Sequence, residues 1–188
     1  MVTLSAGILL WAFVHLIPGP GQTIRQKIIA AIGEKPYKGV FSLALLVSLA
    51  LMIFGWRSTV PEPVYLPPAW GAPVAILLMP IAIFLFAASH ARTRIKRLIR
   101  HPQLSGIVAW SVAHLLANGD NRSLLLFGGL AIWALVEMVV INSREGPWTK
   151  PLVPPVANEI RLAVIAVAVF AVLVYLHPKF AGVAALQL

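Results

Sequence analysis

Two histidines stand out because each lies in an apolar run with a tryptophan four residues before it. They are His15, preceded by Trp11, and His114, preceded by Trp110. Residues four apart share one face of a helix, so each indole is expected to neighbour its imidazole. Two imidazoles on different helices can hold a metal-centred cofactor from opposite faces. Because the chain has no cysteine, haem iron is the natural candidate.

The expected depth of the two histidines supports a shared site. At 1.5 Å per residue, His15 lies about 20 Å from the outer start of its run and His114 about 18 Å from the inner start of its own. In a hydrocarbon slab of about 30 Å both fall near the centre. We therefore predict that His15 and His114 are metal ligands and that Trp11 and Trp110 pack against the same cofactor. The alternative is that both rings bond to neighbouring backbone or hydroxyl groups, such as that of Ser111.

Glu137 is a lone carboxylate in another apolar run, one turn after Trp133. An unpaired charge there costs several kcal/mol, so the carboxyl is expected to be protonated or paired. One interpretation is a hydrogen bond that locks two helices. The other is a proton relay or a contact to a bound group, which adds Glu137 to the cofactor-binding candidates.

Three further histidines lie at the boundaries of apolar runs. His101 follows Arg100 and precedes Pro102, a residue suited to the first turn of a helix. His90, His101 and His177 are interpreted first as interfacial residues. Arg100 and His101 are also candidates to bind an anionic group such as a cofactor propionate.

The elements that must position these residues are membrane helices. The 188 residues are 60% hydrophobic and 11% charged, with a mean hydropathy of +0.88, which several membrane spans can accommodate and a soluble domain cannot. The sequence predicts a single all-α integral membrane domain with about six transmembrane helices. Their approximate ranges are 2–17, 39–56, 69–89, 104–117, 123–141 and 162–176.

The net charge of +9 is distributed as in a membrane protein, not as in a nucleic-acid-binding protein. Twelve of the fifteen Lys and Arg residues lie in the first, third and fifth connections, and this bias predicts that both termini are periplasmic. The expected partner is the lipid bilayer, with no nucleic acid. The three cations on the other side are Arg57, Arg122 and Lys179.

Residues 7–16 align without a gap on residues 106–115, and Gly, Ile, Trp, His and Leu recur at the same offsets. In the predicted topology the first span runs inward and the fourth runs outward. The alignment therefore indicates two inverted repeats of three helices each, an arrangement that places sites near the midplane. Coincidence in a Leu- and Ile-rich background is the alternative.

Several enzyme classes lack their motifs in this chain. There is no Walker loop, dinucleotide fingerprint, zinc-binding spacing or serine nucleophile elbow. With six acidic residues in all, no carboxylate pair is placed for hydrolysis.

The chain resembles the NnrU family over nearly its whole length. The segments that carry the resemblance are His101-Pro102-Gln103-Leu104, Trp110, His114 through Asp120, Ser123 through Gly128, Glu137, Ile141-Asn142, Arg144-Glu145-Gly146, the N-terminal histidine span, residues 33–37 and His177-Pro178. The resemblance implies a bacterial inner-membrane protein linked to nitrite and nitric oxide respiration, that is, to denitrification.

The family is similar to zeta-carotene isomerase, a membrane enzyme that uses haem b. That similarity implies haem ligation at the positions matched by His15 and by His114, thirteen residues after the His-Pro motif. A cysteine ligand proposed for the isomerase is matched here by Ser111, so a ligand switch is not expected.

Three hypotheses follow. The first is a haem b-binding membrane protein with a redox, isomerase-like or accessory role. The second is a non-enzymatic scaffold or assembly factor in which the histidines only join helices. The third is a membrane isomerase that acts on a lipid-soluble polyene or isoprenoid.

Overall fold

The computed structural model describes residues 1–18 and 22–182, which form seven α-helices joined by turns and one short 3-10 helix, Arg94–Arg97. Within this part of the chain the only β pairing is an isolated bridge between Pro63 and Asp120. The predicted all-α class is therefore confirmed. The helices are α1 (Val2–Leu16), α2 (Gln22–Ile32), α3 (Glu34–Ser58), α4 (Gly71–Ser89), α5 (Pro102–Ala117), α6 (Asn121–Glu145) and α7 (Val156–Ala181).

Four helices in the described residues are long and apolar enough to cross a membrane, namely α3, α4, α6 and α7. The predicted number of six is therefore corrected to four. Helices α1 and α5 contain 15 and 16 residues, or about 22 and 24 Å, which is less than a hydrocarbon core of about 30 Å. Helix α1 ends just before Pro18, and α5 is bounded by Pro102 and the extended backbone of Asn118.

Hydrogen bonds gather the basic connections at one end of the bundle, which we call the basic end. Arg100 donates from Nη1 to the carbonyl oxygen of Gly146 at 2.9 Å, and Arg144 donates to that of Pro18 at 2.9 Å. Helix α2 also lies at this end and packs on α3. The sequence-based span assignment omitted α2, although Ile24 and Ile28 alternate with Arg25 and Lys27 as in an amphipathic helix.

At the opposite end, a short turn joins α5 to α6. Asp120 caps α6 by accepting hydrogen bonds from the backbone N–H groups of Arg122 and Ser123, both at 3.1 Å. The connection after α3 closes over this turn, because Val64 and Tyr65 donate backbone N–H groups to the carbonyl of Gly119. A side chain at Gly119 would collide with the carbonyl oxygen of Tyr65.

Two glycines that are equivalent in the sequence repeat both lie at close helix contacts. A Cβ added at Gly7 would lie 2.8 Å from the backbone nitrogen of Met52 in α3, and one at Gly106 would lie 2.8 Å from the carbonyl oxygen of Ala82 in α4. Helix α1 thus packs on α3, the next long helix of the chain, whereas α5 packs mainly on α4, the helix before it. An inverted repeat would relate α1 to α5 and α4 to α7, so the contact between α4 and α5 would recur between α7 and α1. In the described part of the chain, α1 and α7 make no comparable contact. The packing does not reproduce an inverted repeat.

Candidate functional site

The first candidate site, which we call the His15 centre, consists of His15, Trp11, Trp133, Phe41 and Glu137. The His15 Nδ1 atom lies 2.9 Å from the carbonyl oxygen of Trp11. Because a carbonyl only accepts, the imidazole proton is on Nδ1 and the Nε2 lone pair is left for another partner. The His15 ring centroid lies 4.4 Å from that of Trp11 and 4.8 Å from that of Trp133.

Among the described residues, three of the six buried side-chain polar atoms without a hydrogen-bond partner belong to the His15 centre. In the described part of the chain, Trp11 Nε1, Trp133 Nε1 and Glu137 Oε2 make no hydrogen bond. Glu137 is only 8% exposed and lies one turn after Trp133. Leaving a buried polar group unsatisfied costs about 1–3 kcal/mol. Two unpaired donors and an unpaired carboxyl oxygen are typical of a site that a polar or metal-containing group completes.

A cavity of about 610 Å³ opens at the basic end next to the His15 centre. Phe41 lines this cavity, and its ring centroid lies 6.1 Å from that of His15. The cations on the cavity wall are Arg25, Lys38 and Arg144. Lys38 is paired with Glu34 at 2.8 Å and Arg144 with Glu145 at 3.0 Å, so an anionic group at this position would meet Arg25 as the cation without an ion pair in the described residues.

The second candidate site, the His114 centre, consists of His114, Trp110, Phe127 and His177. Here too the histidine Nδ1 lies 2.9 Å from the carbonyl oxygen of the tryptophan four residues before it. The His114 ring lies 4.2 Å from Phe127 and 6.4 Å from His177, centroid to centroid. His177 was interpreted from the sequence as interfacial only. Its position beside His114 depends on how α7 sits against the bundle, which has no signal in the sequence.

The structure does not bring His15 and His114 together. Their α6 neighbours, Trp133 and Phe127, are six residues apart, which corresponds to about 9 Å along the helix and about 120° around it. Metal–imidazole bonds of about 2 Å would require the two axial nitrogens to lie about 4 Å apart. The residues therefore fit a single axial imidazole at either centre, but they do not fit one iron shared by both histidines.

This separation follows from the helix ends. His15 is the second-to-last residue of α1, which ends at the basic end, whereas His114 lies three residues before the end of α5 at the opposite end. Both helices are shorter than the spans assumed in the depth estimate. The expectation of equal depth is therefore not met.

Arg100 and His101, predicted to meet an anionic group, instead join α5 to the end of α6. His101 Nε2 lies 2.8 Å from Asn142 Oδ1, so the ring donates to the amide oxygen. Arg100 bonds the carbonyl of Gly146 and lies 3.5 Å from a carboxylate oxygen of Glu145. Both side chains are thus occupied by structural contacts.

The fold and these centres define the class of protein: an all-helical, multi-pass membrane protein with histidine–aromatic clusters in its interior. A family model described as "NnrU protein" matches residues 3–185, and the chain belongs to this family. The resemblance seen in the sequence is confirmed. No curated protein and no solved structure matches the chain.

Proposed function

We propose that this NnrU-family protein binds haem b at the His15 centre. The observation that carries the proposal is a histidine whose Nδ1–H is held by a backbone carbonyl, surrounded by buried polar atoms that lack partners. Histidines that ligate metals commonly donate their other ring N–H to a carbonyl in this way. His15 Nε2 would hold the iron, and haem would supply a redox-active, Lewis-acidic metal.

The surroundings of His15 suit the other parts of such a cofactor. Trp11 and Trp133 offer apolar ring surface beside the imidazole. Of the cations at the neighbouring cavity, Arg25 would hold a propionate, a role that the sequence assigned to Arg100 and His101. Lys38 and Arg144 already pair with Glu34 and Glu145. His114, the other predicted ligand, belongs to a separate centre with the same tautomer, and we propose that it does not ligate the same iron.

The proposal includes a redox, isomerase-like or accessory role in nitrite and nitric oxide respiration, in the bacterial inner membrane. Family membership supports the link to respiration. The gathering of cations at the basic end supports a cytoplasmic position for that end and periplasmic termini. Because the chain lacks cysteine, single variants Lys179→Cys and Arg92→Cys can test this orientation. A membrane-impermeant maleimide that reaches the periplasm should label only Lys179→Cys.

The cofactor is tested by absorption spectra of the purified protein, oxidised and reduced, after expression in haem-replete cells. We expect a Soret band and a haem content that falls at least about tenfold in His15→Ala, because loss of an outer-shell partner alone costs about 10–100-fold in metal affinity. His90→Ala is the matched control, because His90 lies at the end of α4, away from the His15 centre, and should leave the spectrum unchanged. A colourless protein, or a haem content equal in His15→Ala and the unmodified protein, would overturn the proposal.

A non-enzymatic scaffold is the second candidate, and the ring packing of both histidines favours it. In that case His15→Ala and His114→Ala would lower the unfolding temperature alike, while neither variant nor the unmodified protein would contain a cofactor.

A further inference from the structure

A second, larger cavity lies between α4, α5 and α7, apart from the His15 centre. Its volume is about 810 Å³, within the usual range for small-molecule sites of about 300–1,000 Å³. Its walls are apolar, and each helix contributes large side chains. They include Ile83 and Phe86 from α4, Ile107 and Trp110 from α5, and Ile165 and Leu173 from α7.

The length of this cavity corresponds to one leaflet of a bilayer. Along α7 it extends from Asn158 to Leu173, fifteen residues that rise about 22 Å. Half of a bilayer of about 40–45 Å, headgroup regions included, is about 20–22 Å. The cavity therefore begins at the basic end and reaches about as deep as one acyl chain of the adjacent leaflet.

The mouth of the cavity carries positive charge that the protein itself does not neutralise. His90, Arg92 and Arg161 line it, and no carboxylate does so among the described lining residues. At the mouth, the Asn158 side chain donates a hydrogen bond to the backbone carbonyl of Arg92 at 3.1 Å, which joins α7 to the connection after α4.

Arg92 and Arg161 differ from three other cations near this end, and Arg94, whose side chain also makes no hydrogen bond in the described part of the chain, does not line the cavity. Lys96 donates to the carbonyl of Ser89 at 2.7 Å, and Arg97 and Arg100 likewise donate to backbone carbonyls. Within residues 1–18 and 22–182, the guanidinium groups of Arg92 and Arg161 make no hydrogen bond or ion pair. They are therefore free to bind an anion at the membrane surface.

We propose that this cavity binds one anionic phospholipid from the leaflet at the basic end. An acyl chain lies between α4, α5 and α7 against Trp110, and the phosphate of the headgroup meets Arg92 and Arg161. The long apolar cavity favours a membrane lipid over a free anion. The unpaired charges of Arg92 and Arg161 favour an anionic headgroup. This site is independent of the haem proposal, because it shares no residue with the His15 centre.

Chain-brominated lipids, which quench nearby tryptophans, test the site. The full-length protein is placed in nanodiscs of phosphatidylcholine that contain a small fraction of brominated phosphatidylglycerol or of brominated phosphatidylcholine. We expect stronger quenching by the anionic lipid at equal fraction. Trp110→Phe should remove most of this difference, although five other tryptophans remain.

Charge variants separate the site from the general bilayer. Arg92→Gln and Arg161→Gln should each lower the preference for the anionic lipid about fivefold, the usual contribution of one cation near an anionic surface. In the double variant, both brominated lipids should quench the tryptophan fluorescence equally. Arg57→Gln is the matched control. Arg57 lies in the last turn of α3, at the end of the bundle opposite the mouth of the cavity, so this variant should retain the preference for the anionic lipid.

Three results would overturn the proposal, provided that each variant elutes as a folded protein. They are equal quenching by the two brominated lipids, a preference unchanged in the Arg92→Gln/Arg161→Gln double variant, and a preference unchanged in Trp110→Phe. Loss of the preference on adding inorganic phosphate, but not chloride at equal ionic strength, would identify a free-phosphate site and would also exclude the lipid.

Discussion

The His15 and His114 centres share one local geometry and differ in almost everything around it. In both, a histidine donates its Nδ1–H to the carbonyl of a tryptophan one turn earlier, at 2.9 Å. Around His15 the neighbours come from α3 and α6, and around His114 they come from α6 and α7. A repeated sequence thus produces the same tautomer twice, but not the same site.

The polar atoms around the two histidines show the functional consequence of this difference. The His15 centre adjoins two unpaired indole N–H groups and an unpaired carboxyl oxygen. Near His114 the described residues show the unpaired hydroxyl of Ser111 and the unpaired indole N–H of Trp56, whose ring packs on Phe127, but no unpaired carboxyl oxygen. The His15 centre is also next to a cation-lined cavity. These features favour the His15 centre as the one that a cofactor completes.

The largest expected effect tests this asymmetry directly. His15→Ala should remove most of the bound haem, whereas His114→Ala should retain it, because the two rings contact α6 about 9 Å apart. Haem content per chain, measured after extraction, provides the comparison. Equal loss in both variants would show that the two centres form one site, contrary to the structure.

The close glycine contacts provide the next largest effect. Gly7→Ala and Gly106→Ala should each lower the free energy of unfolding by about 1–3 kcal/mol, because the new methyl group meets backbone atoms of α3 or α4. Thermal unfolding in detergent measures the change.

Gly128→Ala in α6 is the matched control for these glycines. A Cβ at Gly128 meets no atom within 4 Å, so alanine there should raise stability by about 0.5–1 kcal/mol. A destabilisation of the same size at all three positions would contradict the close packing at Gly7 and Gly106.

Tyr65 stabilises the end of the bundle that contains the His114 centre. Its hydroxyl lies within hydrogen-bond distance of the carbonyl oxygens of Asn118, at 2.7 Å, and of Leu115. Tyr65→Phe should lower stability by about 1 kcal/mol without changing haem content. A loss of haem in this variant would link that end of the bundle to the cofactor.

The same residue predicts a dependence on pH. Burial, and secondarily the charge of Asp120, raise the pKa of the Tyr65 hydroxyl above its ordinary value. As pH rises, the unfolded chain therefore loses the Tyr65 proton at a lower pH than the folded protein does. The stability that the protonated hydroxyl contributes is complete below about pH 10 and is lost as pH rises through the folded pKa. Unfolding temperatures between pH 9 and pH 11, about one unit either side of the ordinary pKa, should fall less steeply in Tyr65→Phe.

The smallest effect concerns the unpaired polar groups. Without haem, Glu137→Leu should raise stability by about 1 kcal/mol, because it removes a buried carboxyl oxygen that lacks a partner. In haem-replete cells the same variant should contain less haem. Ser111→Ala, the counterpart near His114, should alter stability slightly and haem content not at all.

The sequence by itself determined what depends on local spacing. Residues four apart share a helix face, so the pairing of Trp11 with His15 and of Trp110 with His114 was predictable. Pro102 likewise marked the start of α5. The basic clusters predicted which connections meet at one end, because charge bias follows the membrane sides and not the packing.

Only the tertiary structure decided what depends on helix neighbours. The partners of Gly7 and Gly106 show that equivalent small residues pack on non-equivalent helices, and this separates His15 from His114 and places His177 beside the latter. The same packing leaves the cavity between α4, α5 and α7. Contacts between helices sum many weak, non-local interactions, so a repeat of ten residues specifies a helix face but not the helix that covers it.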